Sequence, residues 1–146
     1  MKEVIIYTDG ACSGNPGNGG YCAILIYGEN KKIISGSEIS TTNNKMELLA
    51  VIKGLEALKE PCKVKVFSDS NYVVEAFNGG WIDNWNNNGW KTSNKKLVKN
   101  LELWQQLISL CKVHVVEFIK VKGHADNEFN NMCDKIAVEE YKKLNN

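Results

Sequence analysis

Arginine is absent: all 18 basic residues are lysines. A lysine-only chain meets phosphate with point charges and lacks the planar fork that reads guanine or grips two oxygens at once. Any nucleic acid it binds is therefore read through backbone and shape more than through base sequence. Excess charge is also missing. Seventeen acids leave a net charge of +1, which makes no overall case for a polyanionic partner. No apolar run approaches the roughly 18 residues of a membrane span, and the one after Lys2 is shorter than a signal-peptide core. Cys12, Cys22, Cys62, Cys111 and Cys133 make an odd number, lack metal-site spacing and mostly fall within apolar patterns. Reduced thiols and a cytoplasmic setting are expected, with no membrane partner. At 146 residues, 43% hydrophobic and 24% charged, the chain is expected to form one domain, 1–146, with one sizeable core.

Among what is present, Val4-Ile5-Ile6-Tyr7-Thr8-Asp9-Gly10 stands out as a β-strand of branched and aromatic residues ending at a glycine. A period of two puts Asp9 on one face with Ile5 and Tyr7. A carboxylate continuing an apolar face is costly to bury unless a cation or hydrogen-bond donors meet it. One such Asp reads most simply as a strand end bonding its own turn. A second copy changes the reading: Val64-Lys65-Val66-Phe67-Ser68-Asp69-Ser70 also ends in a hydroxyl residue followed by Asp. If the two strands are neighbours, two carboxylates stand side by side, raise one another's pKa, and call for a divalent cation.

The residues between them set the order of elements. Gly10 to Gly20 is a glycine-rich connection without phosphate-loop spacing, and its glycines serve turn geometry or the close approach of a ligand. Tyr21–Tyr27 and Lys31–Ile39 read as strands two and three, an antiparallel meander with the first. Leu48, Val51, Ile52, Leu55 and Leu58 recur at helical spacing, predicting a helix from about Asn44 to Lys59. Glu47 sits at the capping-box position if Asn44 is the N-cap, yet shares a face with Ala50, Val51 and Gly54, so cap and site stay equally open. A short helix is expected over 71–77, an amphipathic one over 101–110, a fifth strand over 112–121 and a last helix over 131–144. Asp134 then falls in a helix's first turn, where negative charge is favoured. Trp81, Trp85 and Trp90 are followed by Lys91, Lys95, Lys96 and Lys99 with no acid among them. That spacing suits helix core, expected for at least one of the indoles, and rings interleaved with amides and lysines also make a stacking and phosphate-binding surface. His114 lies inside a strand pattern and reads as structural; His124 lies on a glycine-bearing loop.

Taken together, YTDGACSGNPGNGGYCAIL, TTNNKMELLAVIKGLEAL, SDSNYV, WIDNWNNNGWKT and VKGHA followed by CDKIA resemble the ribonuclease H family, in particular its bacterial type 1 enzymes, over almost the whole chain. Each motif is modest alone, but their order and spacing are specific. The resemblance implies an α/β fold with a five-stranded mixed sheet, order 3-2-1-4-5, flanked by helices. It places the family's DEDD quartet on Asp9, Glu47, Asp69 and Asp134, which would hold two Mg²⁺ ions, with Mn²⁺ as an alternative. It assigns His124 to proton transfer or product release. The implied activity is endonucleolytic hydrolysis of the RNA strand of RNA–DNA hybrids, leaving 5′-phosphate and 3′-hydroxyl ends. It lays the RNA strand against Gly10, Ala11, Cys12, Asn15, Asn43, Asn44, Asn71 and Glu47. The DNA strand falls against Thr42, Asn44 and the segment with Trp81, Trp85 and Lys91. A monomer without an obligate protein partner is expected, holding substrate with this domain alone. Two departures stand out: Asn86-Asn87-Asn88 replaces a strongly basic run, and Phe129 and Asn131 stand where acids are familiar. A resolvase or integrase-like nuclease would share the carboxylates but not TTNNKMEL and KGHA together. A non-catalytic binding module would not need the quartet.

Overall fold

The computed structural model describes residues 1–122 and 127–145. Three strands, β1 (Lys2–Cys12), β2 (Gly17–Tyr27) and β3 (Asn30–Thr41), form the expected antiparallel meander. Helix α1 (Asn43–Glu56) leads to β4 (Cys62–Ser68), which pairs parallel with β1. Helices α2 (Asn71–Asn78), α3 (Trp81–Asn88) and α4 (Leu101–Val113) precede β5 (Val115–Lys120), parallel to β4, and α5 (Glu128–Lys142) follows it. The strand order is β3-β2-β1-β4-β5, so the strands leading to Asp9 and Asp69 are neighbours.

Alternation along the strands builds a core on each face of the sheet. Val4 and Ile6 of β1 face α1, together with Ala23, Leu25, Val64, Val66 and the helix residues Leu48, Ile52 and Leu55. Each fully buried aliphatic here contributes about 1.5–3 kcal/mol relative to exposure. On the opposite face, Cys22 and Ile24 pack against Cys133 and Ala137 of α5, with Tyr7 alongside. Trp104 of α4 is wholly buried, and its ring meets Tyr72, Phe77 and Trp85. The tryptophan segment thus divides: Trp85 and Trp90 pack against this core, whereas Trp81 stays 37% exposed.

Several boundaries differ from the sequence expectation, among them the end of α1, at Glu56 rather than Lys59. The glycine-rich connection shrinks to residues 13–16, because β1 runs on to Cys12 and β2 starts at Gly17, pairing Ala11 with Gly20 and Cys12 with Gly19. Ladder hydrogen bonds outweigh the weak strand propensity of glycine there. Thr42 rather than Asn44 caps α1, its hydroxyl accepting from Lys45 N at 3.2 Å. Helix α5 starts at Glu128, capped by Asn127, which puts Asp134 beyond the first turn. Helix α4 continues through Val113, so β5 begins only at Val115, after buried His114. The five cysteines are free thiols.

Candidate active site

Asp9 and Glu47 come together because β1 passes beneath the first turns of α1. Both are buried, at 4% exposure each. Since Thr42 is the cap, Glu47 is not in a capping box; its carboxylate turns to the sheet and accepts from Gly10 N in a short hydrogen bond. The same amide donates to Asp9 Oδ1 at 2.9 Å. Asp69 follows β4 on an elbow held from several sides. Val121 N donates to Ser68 O at 2.9 Å, Ser70 N donates to Ser68 Oγ at 3.1 Å, and Lys120 Nζ donates to the Asp69 carbonyl. Ser70 then caps α2, accepting from Val73 N at 3.3 Å.

These supports gather Asp9, Glu47 and Asp69 so that a ligand oxygen from each lies within 4.8 Å of the others. Burial pushes the Asp9 carboxyl far above the usual range, and the charges of Glu47, Asp69 and Asp134 push it further. Burial also raises Glu47, aided by Asp69 and opposed by the Gly10 amide. Without a cation, the pair therefore retains a proton near neutral pH. Asp9 Oδ2 is buried and has no hydrogen-bond partner. An unpartnered buried carboxylate oxygen, beside two more carboxylates and no sulfur or imidazole ligand, suits a hard divalent cation.

The carboxylates open into a cleft of about 540 Å³ lined also by Gly10, Ala11, Cys12, Asn43, Asn44, Ser70, Asn71, Tyr72 and Asp134. A larger hollow of about 770 Å³ at the far end of the sheet is lined by Met1, Lys2, Glu3, Tyr27, Glu60 and Lys63. It holds an exposed Lys2–Glu60 pair at 2.7 Å. Convergent acids, not volume, locate the site.

A family model for RNase H matches residues 1–142. The chain belongs to the ribonuclease H family. The ribonuclease H of Acetivibrio thermocellus is 61% identical over 143 residues, covering 98% of this chain and 97% of that one. That of Caldicellulosiruptor saccharolyticus is 63% identical over 137 residues, covering 94% of each. Among solved structures, LC9-RNase H1, described as a type 1 RNase H with the type 2 active-site motif, superposes with a TM-score of 0.88 at 29% identity. It is matched over 98% of this chain and 74% of its own. LC11-RNase H1, solved in complex with an RNA/DNA hybrid, gives a TM-score of 0.77 at 25% identity over 98% and 99%.

In this ribonuclease H family member the residues singled out from sequence do not all share one cavity. Asp9, Glu47, Asp69, Asp134, Gly10, Ala11, Cys12, Asn43, Asn44 and Asn71 share the cleft. Thr42 caps the helix beside it, and Asn15 lies exposed in the turn between β1 and β2. Trp81, Trp85 and Lys91 line a separate cavity with Asn84, Asn87, Asn88, Thr92 and Ser93. His124 lies outside the described residues. Sequence reasoning passed over Ser70 and Tyr72. Ser70 carried a signal, a hydroxyl residue just before a helix. Tyr72 carried none locally: its hydroxyl accepts from Trp104 Nε1 at 3.0 Å and Asn100 Nδ2 at 3.2 Å, partners some thirty residues away. Among the described residues, no helix is long and apolar enough to cross a membrane.

Proposed function

We propose that this chain is an endonuclease hydrolysing the RNA strand of RNA–DNA hybrids, leaving 5′-phosphate and 3′-hydroxyl ends. The observation that carries the reading is the Asp9–Glu47–Asp69 cluster, buried at Asp9 and Glu47 and half-buried at Asp69, with its unpartnered Asp9 oxygen, opening on an amide-lined cleft. The complex of LC11-RNase H1 with an RNA/DNA hybrid supports the substrate class. Asp9, Glu47, Asp69 and Asp134 would hold the Mg²⁺ ions, two per site, with Mn²⁺ as an alternative. When bound, such ions lower the pKa of water and neutralise charge developing at the phosphoryl oxygens.

The chain's own residues do the rest. Gly10, Ala11 and Cys12 offer backbone, and Asn43, Asn44 and Asn71 offer amides, around the cleft. Amides carry both donors and acceptors, so they address sugars and base edges without demanding one sequence. Contact with the 2′-hydroxyl is what separates RNA from DNA at such a site. Water attacks phosphorus as the bond to the 3′ oxygen breaks, and the departing oxygen takes a proton. His124, whose unperturbed pKa is near 6.5, serves that proton traffic or product release. Thr42, Asn44, Trp81, Trp85 and Lys91 receive the DNA strand, and Asn15 and Glu47 complete the contacts to the RNA. The enzyme acts as a cytoplasmic monomer and needs no protein partner.

The test is a comparison of labelled RNA–DNA hybrid, duplex DNA and duplex RNA, each with and without Mg²⁺. Cleavage confined to the hybrid with Mg²⁺ is expected. Equal cleavage of duplex DNA, or binding of hybrid without cleavage, would overturn the proposal.

A further inference from the structure

Gly10 lies where β1 runs under the first turns of α1. A Cβ placed on it would stand 2.5 Å from the backbone N of Glu47, 2.5 Å from the carbonyl carbon of Met46 and 2.8 Å from Met46 Cβ. None of these atoms can swing aside, so the helix backbone rests directly on the strand at this point. Farther along the same helix, a Cβ on Gly54 would meet Ala23 Cβ and Ile6 Cγ2 at 3.2 Å, side-chain rather than backbone atoms and less close by about 0.7 Å. Bare backbone contact on this helix is thus found beside Glu47. Gly10 also carries the amide hydrogen that both Asp9 Oδ1 and Glu47 Oε1 accept. The device recurs across the sheet, where a Cβ on Gly20 would run into the carbonyl oxygen of Ala137, on the helix that carries Asp134.

We infer that Gly10 is a positioning residue for the cation site. It lets the backbone of α1 settle on β1, and it shares one amide hydrogen between two carboxylates. Together these set the mutual placement of Asp9 and Glu47, two of the carboxylates that would hold a divalent ion. From sequence the glycines of this stretch serve turn geometry or the close approach of a ligand; Gly10 also admits the helix bearing Glu47. The inference rests on reading Asp9 and Glu47 as joint cation ligands.

The test is Mn²⁺ binding by titration calorimetry on the folded, substrate-free chain, for the parent, Gly10→Ala and Gly54→Ala. A further form carries an ester in place of the Asp9–Gly10 amide, which removes the shared hydrogen without adding volume. Gly10→Ala should weaken Mn²⁺ binding at least tenfold and the ester form severalfold, whereas Gly54→Ala stays within twofold of the parent whatever its melting temperature. If Gly10→Ala does not fold, the ester form decides. Parent-like binding by the ester form or by Gly10→Ala overturns the inference, as does an equal loss in Gly54→Ala. A parent that binds no Mn²⁺ overturns both this inference and the cation reading beneath it.

Discussion

Asp9 and Glu47 draw on a single donor, the amide hydrogen of Gly10, and each is buried within reach of the other's charge. Two carboxylates in that position are balanced either by a proton or by a cation, and the exchange between those two states sets several measurable properties.

Replacing Asp9 with Asn removes one charge from the cluster while keeping a hydrogen-bond acceptor. Hybrid cleavage should fall at least about a thousandfold, the scale lost when a charge-stabilising group is removed from a reaction centre. The metal-free melting temperature should hold or rise, because a neutral amide beside Glu47 spares the fold the proton uptake that the paired carboxyls require. Saturating Mg²⁺ should raise the parent's melting temperature and leave the variant's unchanged. Thermal denaturation of both forms, with and without Mg²⁺, checks this.

The same pair predicts an unusual pH dependence. Both carboxyls titrate above their ordinary range in the fold, so the cation-free native state keeps protons that the unfolded chain releases above about pH 4. The native state then binds more protons than the unfolded state, and stability falls as pH rises from there through neutrality. Urea midpoints in chelator should therefore decline with pH more steeply in the parent than in Asp9→Asn. With saturating Mg²⁺ the trend should reverse, since ionised carboxylates hold the ion. A parent and variant with parallel profiles in chelator would contradict the assignment.

His114 supplies a separate, structural titration. It is buried, its Nδ1 accepts from Cys62 N at 3.0 Å, and burial lowers its pKa. A depressed histidine contributes stability above its unfolded pKa of about 6.5 and loses it as pH falls. His114→Phe should cost about 1–3 kcal/mol at pH 8, where the Cys62 amide loses its acceptor. It should also flatten the acid limb of the stability curve and leave Mn²⁺ affinity unchanged. Denaturant titrations across pH 5–8 measure the first two effects, and calorimetry the third.

The asparagine run offers a gain of function. Asn86 and Asn87 are exposed on α3, but the Asn88 side chain accepts from Lys91 N and donates to Lys91 O, each at 3.0 Å, and is best spared. Changing Asn86 and Asn87 to Lys adds up to two phosphate contacts if the segment lies along the DNA strand. Each should steepen the salt dependence of hybrid binding by about 0.9 in the log–log slope. Tighter binding at low salt that fades as salt rises, with an unchanged chemical step, is expected. No change at low salt would place this surface away from the substrate.

Much of this site was legible before any coordinates, because strand-terminal hydroxyl–Asp pairs recur and a period of two is easily read. Asp9 and Asp69 needed only the adjacency of their strands, and the order β3-β2-β1-β4-β5 provides it. Glu47 was locally undecidable, since capping and site readings share one sequence pattern; the cap at Thr42 removes the first. Gly10 to Gly20 read as a connection because glycine signals turns locally. Its strand pairing and the bare-backbone seats for α1 and α5 are tertiary facts without a local signature. The same holds for Tyr72, whose hydroxyl partners lie on and just before α4.

The most direct measurement is cleavage of one RNA–DNA hybrid labelled in turn on each strand, by the parent and by Asp9→Asn, with Mg²⁺ and with chelator. The account predicts that only the RNA label shortens, only in the parent and only with Mg²⁺, and that the new RNA ends carry 5′-phosphate and 3′-hydroxyl groups. Cleavage of the DNA strand, activity persisting in chelator, or undiminished activity in Asp9→Asn would contradict it.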